Sequence, residues 1–110
     1  MDRLYYSMLL DFYGEMLTEK QRECCDLYYN EDLSLAEIAE QRGISRQGVW
    51  DNIRHAESSL LEFESKTGIV KRFTETKSAL ENICNLASEL DESQIKNNLI
   101  EKLRSLMDTI

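Results

Sequence analysis

The sequence predicts an all-α protein, a helical bundle followed by a two-helix hairpin, and three observations carry that prediction. Proline is absent and glycine occurs four times in 110 residues, so helices meet few internal breakers and the turns between them are short. Apolar residues recur at three- and four-residue intervals through most of the chain. Helix start signals, a serine or threonine with a glutamine or glutamate three residues on, stand at Thr18–Gln21 and Ser34–Glu37.

The first helix is expected over residues ~3–16, with Leu4, Tyr5, Met8, Leu9, Phe12 and Met16 at helical spacing and Asp11 and Glu15 outside. Thr18 caps the second, at ~19–29, which turns Cys24, Leu27 and Tyr28 inward. A polar connector, "NEDLS", leads to a short third helix capped by Ser34, with Leu35, Ile38 and Ala39 facing the core. Gly43 ends it, because a chain leaving a helix often needs positive φ there. Ser45 caps the fourth helix, in which Val49, Ile53, Ala56, Leu60 and Phe63 extend the stripe to ~66 before Gly68 stops it.

Residues 68–110 read as the second unit. Ile69, Phe73, Thr76, Leu80, Ile83, Ala87 and Leu90 form a heptad-spaced seam. Asp91 with Gln94 offers another capping box, and Ile95, Leu99, Leu103, Leu106 and Ile110 line the last helix. These stripes pack on each other and on residues 1–67, or pair two protomers as a homodimer.

Residues 34–56, "SLAEIAEQRGISRQGVWDNIRHA", carry a helix-turn-helix pattern. Ala39 is small where the two helices cross, Gly43 makes the turn, and Ile38, Ile44, Val49 and Ile53 lock the crossing. The pattern specifies the hydrophobic inside of the motif and leaves open what the outside binds.

Composition limits that outside. Formal net charge is −8, with ten acids and four bases in residues 1–43. Long-range attraction to a polyanion is therefore weak or opposed. Three cysteines, Cys24, Cys25 and Cys84, with no CxxC spacing and one histidine, His55, point to thiols in a reducing compartment. They supply neither a zinc site nor a disulfide framework. No cofactor is expected: the chain has no glycine-rich phosphate loop, no GxSxG and no carboxylate pair beside a histidine, so a non-enzyme is expected. No apolar run approaches the ~20 residues of a membrane span. The acid-bearing N-terminus reads as an amphipathic helix rather than a signal peptide, which places the protein in the cytoplasm.

Leu17 to Glu64, "LTEKQRECCDLYYNEDLSLAEIAEQRGISRQGVWDNIRHAESSLLEFE", resembles region 4 of sigma-70-like factors, which lays its second helix on promoter DNA. With "LYYSMLLDFYGEMLTEKQ", "EDLSLAEIAE", "ISRQGVWDNI" and the tail after "GIV", nearly the whole chain resembles the bacterial YlxM or UPF0122 family. Genes of that family lie beside those of the signal recognition particle GTPase and its receptor. The resemblance thus implies a regulator or accessory of that targeting pathway. Its implied partners are DNA, the particle's RNA, or the GTPase itself.

The residues expected to face a nucleic acid are Ser45, Arg46, Gln47, Trp50, Asp51 and Arg54. Arg46 suits guanine, Gln47 suits adenine, and Ser45 and Arg54 suit phosphate. Asp51 repels phosphate but accepts from cytosine. Trp50 is either a core residue beside the third helix or a contact residue that stacks on an unpaired base or fills a protein pocket. In the alternative reading the motif is a scaffold, and Trp50, the acidic N-terminal face or the last two helices dock the GTPase.

Overall fold

The computed structural model describes residues 3–110, and the protein is all-α. Its helices are α1 (Arg3–Tyr13), α2 (Glu19–Cys25), α3 (Leu35–Arg42), α4 (Arg46–Thr67), α5 (Ile69–Ser88) and α6 (Gln94–Asp108). A 3-10 turn, Gly14–Met16, extends α1, and a π-helical turn, Asp26–Asn30, extends α2. The chain divides into two compact units, Met1–Val70 and Lys71–Ile110.

Local chemistry sets the helix ends of the first unit. Thr18 and Ser34 each close a full capping box, with Gln21 and Glu37. Each box satisfies two backbone N–H groups that the first turn leaves open. Gly43 leaves α3 in the left-handed region (φ 67°), and the Ile44 N–H bonds back to the Ala39 carbonyl at 3.1 Å. Ser45 then caps α4, accepting from the Gly48 N–H at 2.9 Å. Two residues, Ile44 and Ser45, thus suffice to pass from the end of α3 at Gly43 to α4.

The core of this unit has two parts. Leu10, Cys24, Cys25, Leu27, Ile38, Ala39, Val49, Ile53 and Ala56 make one, with Ile44 packed against it. Tyr6, Leu9, Tyr13, Leu60 and Val70 make the other. Helix α4 is the shared wall: Val49, Ile53, Ala56 and Leu60 are all fully buried, and their 4-3-4 spacing keeps them on one side over about three turns. Cys24 and Cys25 are both buried free thiols. Adjacent residues on a helix diverge, yet both sink into the core because neighbouring helices flank α2.

The expected inward face of α1 is rotated. Tyr6, Leu9, Leu10 and Tyr13 are buried, whereas Leu4, Phe12 and Met16 are exposed, Leu4 by 70%. Apolar and aromatic residues surround most of α1, so the spacing admits two faces. The buried one brings Tyr13 to Glu64 and Tyr6 against Tyr29, with ring centroids 5.5 Å apart.

The second unit also departs from expectation. On α5 beyond Val70 the covered positions are Phe73, Leu80, Cys84 and Ala87; Ile69, Thr76, Ile83 and Leu90 of the expected seam are exposed. On α6, Ile100, Leu103 and Met107 are half-buried, while Ile95, Leu99, Leu106 and Ile110 are exposed. Two apolar stripes share each helix, and a two-helix unit can cover only one of them. Ser93, not Asp91, caps α6, accepting from the Lys96 N–H at 3.0 Å.

Candidate nucleic-acid interface

Because Val49, Ile53 and Ala56 point into the core, helical geometry turns positions 46, 47, 50, 51 and 54 outward. The structure brings Ser45, Arg46, Gln47, Trp50, Asp51 and Arg54 onto one face of the first turns of α4. Ser45, Arg46, Gln47, Asp51 and Arg54 are exposed, and Trp50 is half-buried. Trp50 is thus not a closed core residue.

Several of these groups are already engaged. The Ser45 hydroxyl oxygen accepts the Gly48 N–H, and a Cβ at residue 48 would stand 3.2 Å from it. The cap is therefore tight around a glycine, and Ser45 keeps its own O–H to offer a ligand. Gln47 Nε2 donates to Asp51 Oδ1 at 2.9 Å. Asn52 Nδ2 donates to the Gly48 carbonyl at 2.9 Å, which fixes it against its own helix. The Arg54 guanidinium stands 5.4 Å from the centre of the Trp50 ring, within cation–π range.

The cations of this face are available. Ion pairs among the described residues join Arg3 to Asp32, Arg42 to Glu23, Lys66 to Glu62 and Lys96 to Glu92. Arg46 and Arg54 take part in none of them. Two guanidinium groups thus flank the indole with no ion-paired carboxylate among the described residues. His55 is exposed beside them, and no group of three His, Cys, Asp or Glu residues among the described ones could hold a metal ion.

A surface cavity of about 280 Å³ opens here, lined by Leu35, Arg46, Gln47 and Trp50. Leu35 is the residue that sequence reasoning missed. Its i, i+3, i+4 relation to Ile38 and Ala39 marks it as a core position, and it does pack at the core's edge. Being the first residue of α3, it also reaches the α4 face. Only the crossing of the two helices shows that.

Acidic residues gather elsewhere on the first unit. Glu31, Glu37 and Glu40 line a groove with Leu27, Leu33 and Gln41. Glu37 titrates below the usual carboxylate range, chiefly because the Ser34 backbone N–H donates to it, with the Ser34 side chain second.

Comparison with known proteins decides the family. Residues 1–104 match the family model described as "UPF0122: Putative helix-turn-helix protein, YlxM / p13 like". The chain belongs to the UPF0122 family. A UPF0122 protein of Thermoanaerobacter sp. (strain X514) is 52% identical over 82 residues, covering 74% of this chain and 70% of the relative. One from Acetivibrio thermocellus is 39% identical over 117 residues, covering 99% of this chain and all of the relative. One from Bacillus velezensis is 44% identical over 98 residues, 89% of each chain. The UPF0122 resemblance read from the sequence thus holds along almost the full chain. No helix among the described residues is long and apolar enough to cross a membrane.

Proposed function

We propose that this UPF0122 chain is a nucleic-acid-binding regulatory or accessory protein of the signal recognition particle pathway, acting in the cytoplasm without catalysis. One observation carries the binding reading. The outward face at the start of α4 presents Arg46 and Arg54, neither in an ion pair among the described residues, around Trp50 and Gln47. That is the part of a helix-turn-helix that meets bases and phosphates. The pathway link rests on the gene neighbourhood that the family resemblance implies.

The chain's net charge of −8 sets the expected strength. Affinity is modest, because few cations offset an acidic body. Fluorescence anisotropy at ~50 and ~200 mM salt tests the reading. Its ligands are random duplex DNA, the upstream DNA of the chain's own operon, the particle's RNA and the purified GTPase. A nucleic acid bound with a negative salt slope supports it. Binding to the GTPase alone replaces it with the second reading.

That second reading, a module that docks the GTPase, draws on the groove of Glu31, Glu37 and Glu40, which complements a basic partner. A homodimer is compatible with both. On α5 and α6, Leu86 (66% exposed) and Ile95 (79% exposed) belong to an apolar stripe that a second copy would cover.

A further inference from the structure

The proposed function leaves open what form of nucleic acid the α4 face takes, and Trp50 and its cavity bear on that. We propose that the cavity between α3 and α4 captures a single unpaired base carrying an amino group, rather than the edge of a base pair within a duplex. This inference rests on the nucleic-acid reading above and narrows it.

The first argument is shape. A base inside a duplex has both faces stacked and offers a protein only its edge. An indole recognises a face, as the aromatic platforms of single-strand binders do. Trp50 lines a cavity whose other walls are Leu35, Arg46 and Gln47. It is a shallow depression of about 280 Å³, open to solvent on its outer side. That suits one planar ring system and no folded element. Leu35 and the indole supply apolar surface, and none of the described lining residues is an acid.

The second argument is charge. Arg46 borders the cavity, and Arg54 stands over the indole at 5.4 Å. Neither has a carboxylate partner among the described residues, so Arg54 can meet a phosphate beside the captured nucleotide while Arg46, in the cavity wall, can donate to the base itself.

The third argument is donor and acceptor balance. Gln47 has two amide protons, and Asp51 takes one of them. The bond turns the Gln47 amide so that its Oε1 stays free to accept from a base in the cavity. Gln47 Oε1, in the cavity wall, accepts from the exocyclic amine of adenine, cytosine or guanine, whereas the Asp51 carboxylate outside that wall repels duplex phosphates. Uracil and thymine lack that amine.

Trp50 is the chain's sole tryptophan, so its emission reports on this cavity alone. The full chain is titrated at ~50 mM salt with fluorescein-labelled hairpins carrying a six-adenine loop. The same stem with a six-uracil or six-thymine loop, and as a blunt duplex, provides the comparison. RNA and DNA versions distinguish the two sources of the base. The adenine-loop hairpin is expected to quench Trp50 and to bind about tenfold tighter than the blunt duplex, with the uracil or thymine loop between them. Trp50→Ala should lose about 5- to 150-fold in hairpin affinity. Trp50→Phe keeps a ring and should hold affinity within about fivefold, which separates lost stacking from lost folding.

If duplex and hairpins bind equally and Trp50 emission stays constant, base capture is overturned and the nucleic-acid reading stands. If no nucleic acid binds but the GTPase alters Trp50 emission, the cavity is a protein-docking site and both readings fall.

Discussion

Gln47 donates an amide proton to Asp51 across one turn of α4, at 2.9 Å. The bond places a negative charge in the middle of a face whose other charged members are arginines. Asp51→Asn keeps an acceptor for Gln47 and removes the charge. Two unit charges ~4 Å apart in water interact by about 1 kcal/mol. The variant should therefore bind nucleic acid about fivefold more tightly at ~50 mM salt, by anisotropy, and the gain should shrink at ~200 mM as screening shortens. Weaker binding by the variant at both salts would make the carboxylate itself a contact.

Arg46 and Arg54 should respond differently from each other. Arg46→Ala is expected to cost about 1–3 kcal/mol if its guanidinium reads a base, with relaxed sequence preference. Arg54→Ala should weaken all sequences alike and lower the salt slope by about 1, as for a lost phosphate contact. Titrations of both variants over a range of salt check this. Wild-type affinity and slope in both would remove the face from the binding surface.

Tyr13 and Glu64 tie the two ends of the first unit together. The Tyr13 hydroxyl donates to Glu64 Oε1 at 2.6 Å, and the same oxygen accepts the Val70 N–H at 3.0 Å. Thr67 Oγ1 lies 2.5 Å from the Tyr13 oxygen; since the phenol proton goes to Glu64, the threonine donates. Tyr13→Phe leaves this part-buried carboxylate one donor short. The expected loss is about 1–3 kcal/mol, and each 1 kcal/mol lowers Tm by about 4–8 °C in a unit of this size. Thermal unfolding followed by circular dichroism checks it, and an unchanged Tm would contradict it.

Alkaline pH should weaken the first unit. Burial pushes the Cys25 thiol from 9.0 up to about 12. Burial first, and Glu64 or Glu57 next, raise the Tyr13 and Tyr29 phenols above 10.0. All three groups are favoured neutral in the fold. Their stabilisation is complete below the unfolded values, 9.0 and 10.0, and drains as pH climbs from there toward the folded values. The guanidinium midpoint should hold from pH 7 to 8.5 and fall by pH 10.5. A flat midpoint across that window would refute the linkage.

The uncovered stripe of the second unit makes a separate prediction. Leu86→Glu sits on an exposed position, so it should fold normally. If a second copy covers the stripe, sedimentation equilibrium should report a lower mass for this variant than for the wild-type chain. Equal masses would place the dimer contact elsewhere or exclude one.

The sequence alone determined what depends on neighbours in the chain. Thr18–Gln21, Ser34–Glu37, Gly43 and Ser45 fix helix ends through bonds within a few residues, so their roles are legible as text. Val49, Ile53, Ala56 and Leu60 are legible too, because polar residues flank that stripe on both sides and leave one face to bury. Tertiary structure decided every case in which a helix carries two apolar faces. On α1 it chose Tyr6 and Tyr13 over Leu4 and Phe12, and on α5 Cys84 over Ile83. Periodicity gives the spacing of a stripe but not which of two stripes the neighbouring helices cover. The cavity at Trp50 is of the same kind. Leu35 and Trp50 lie 15 residues apart in the sequence, and only the crossing of α3 and α4 sets them in one wall.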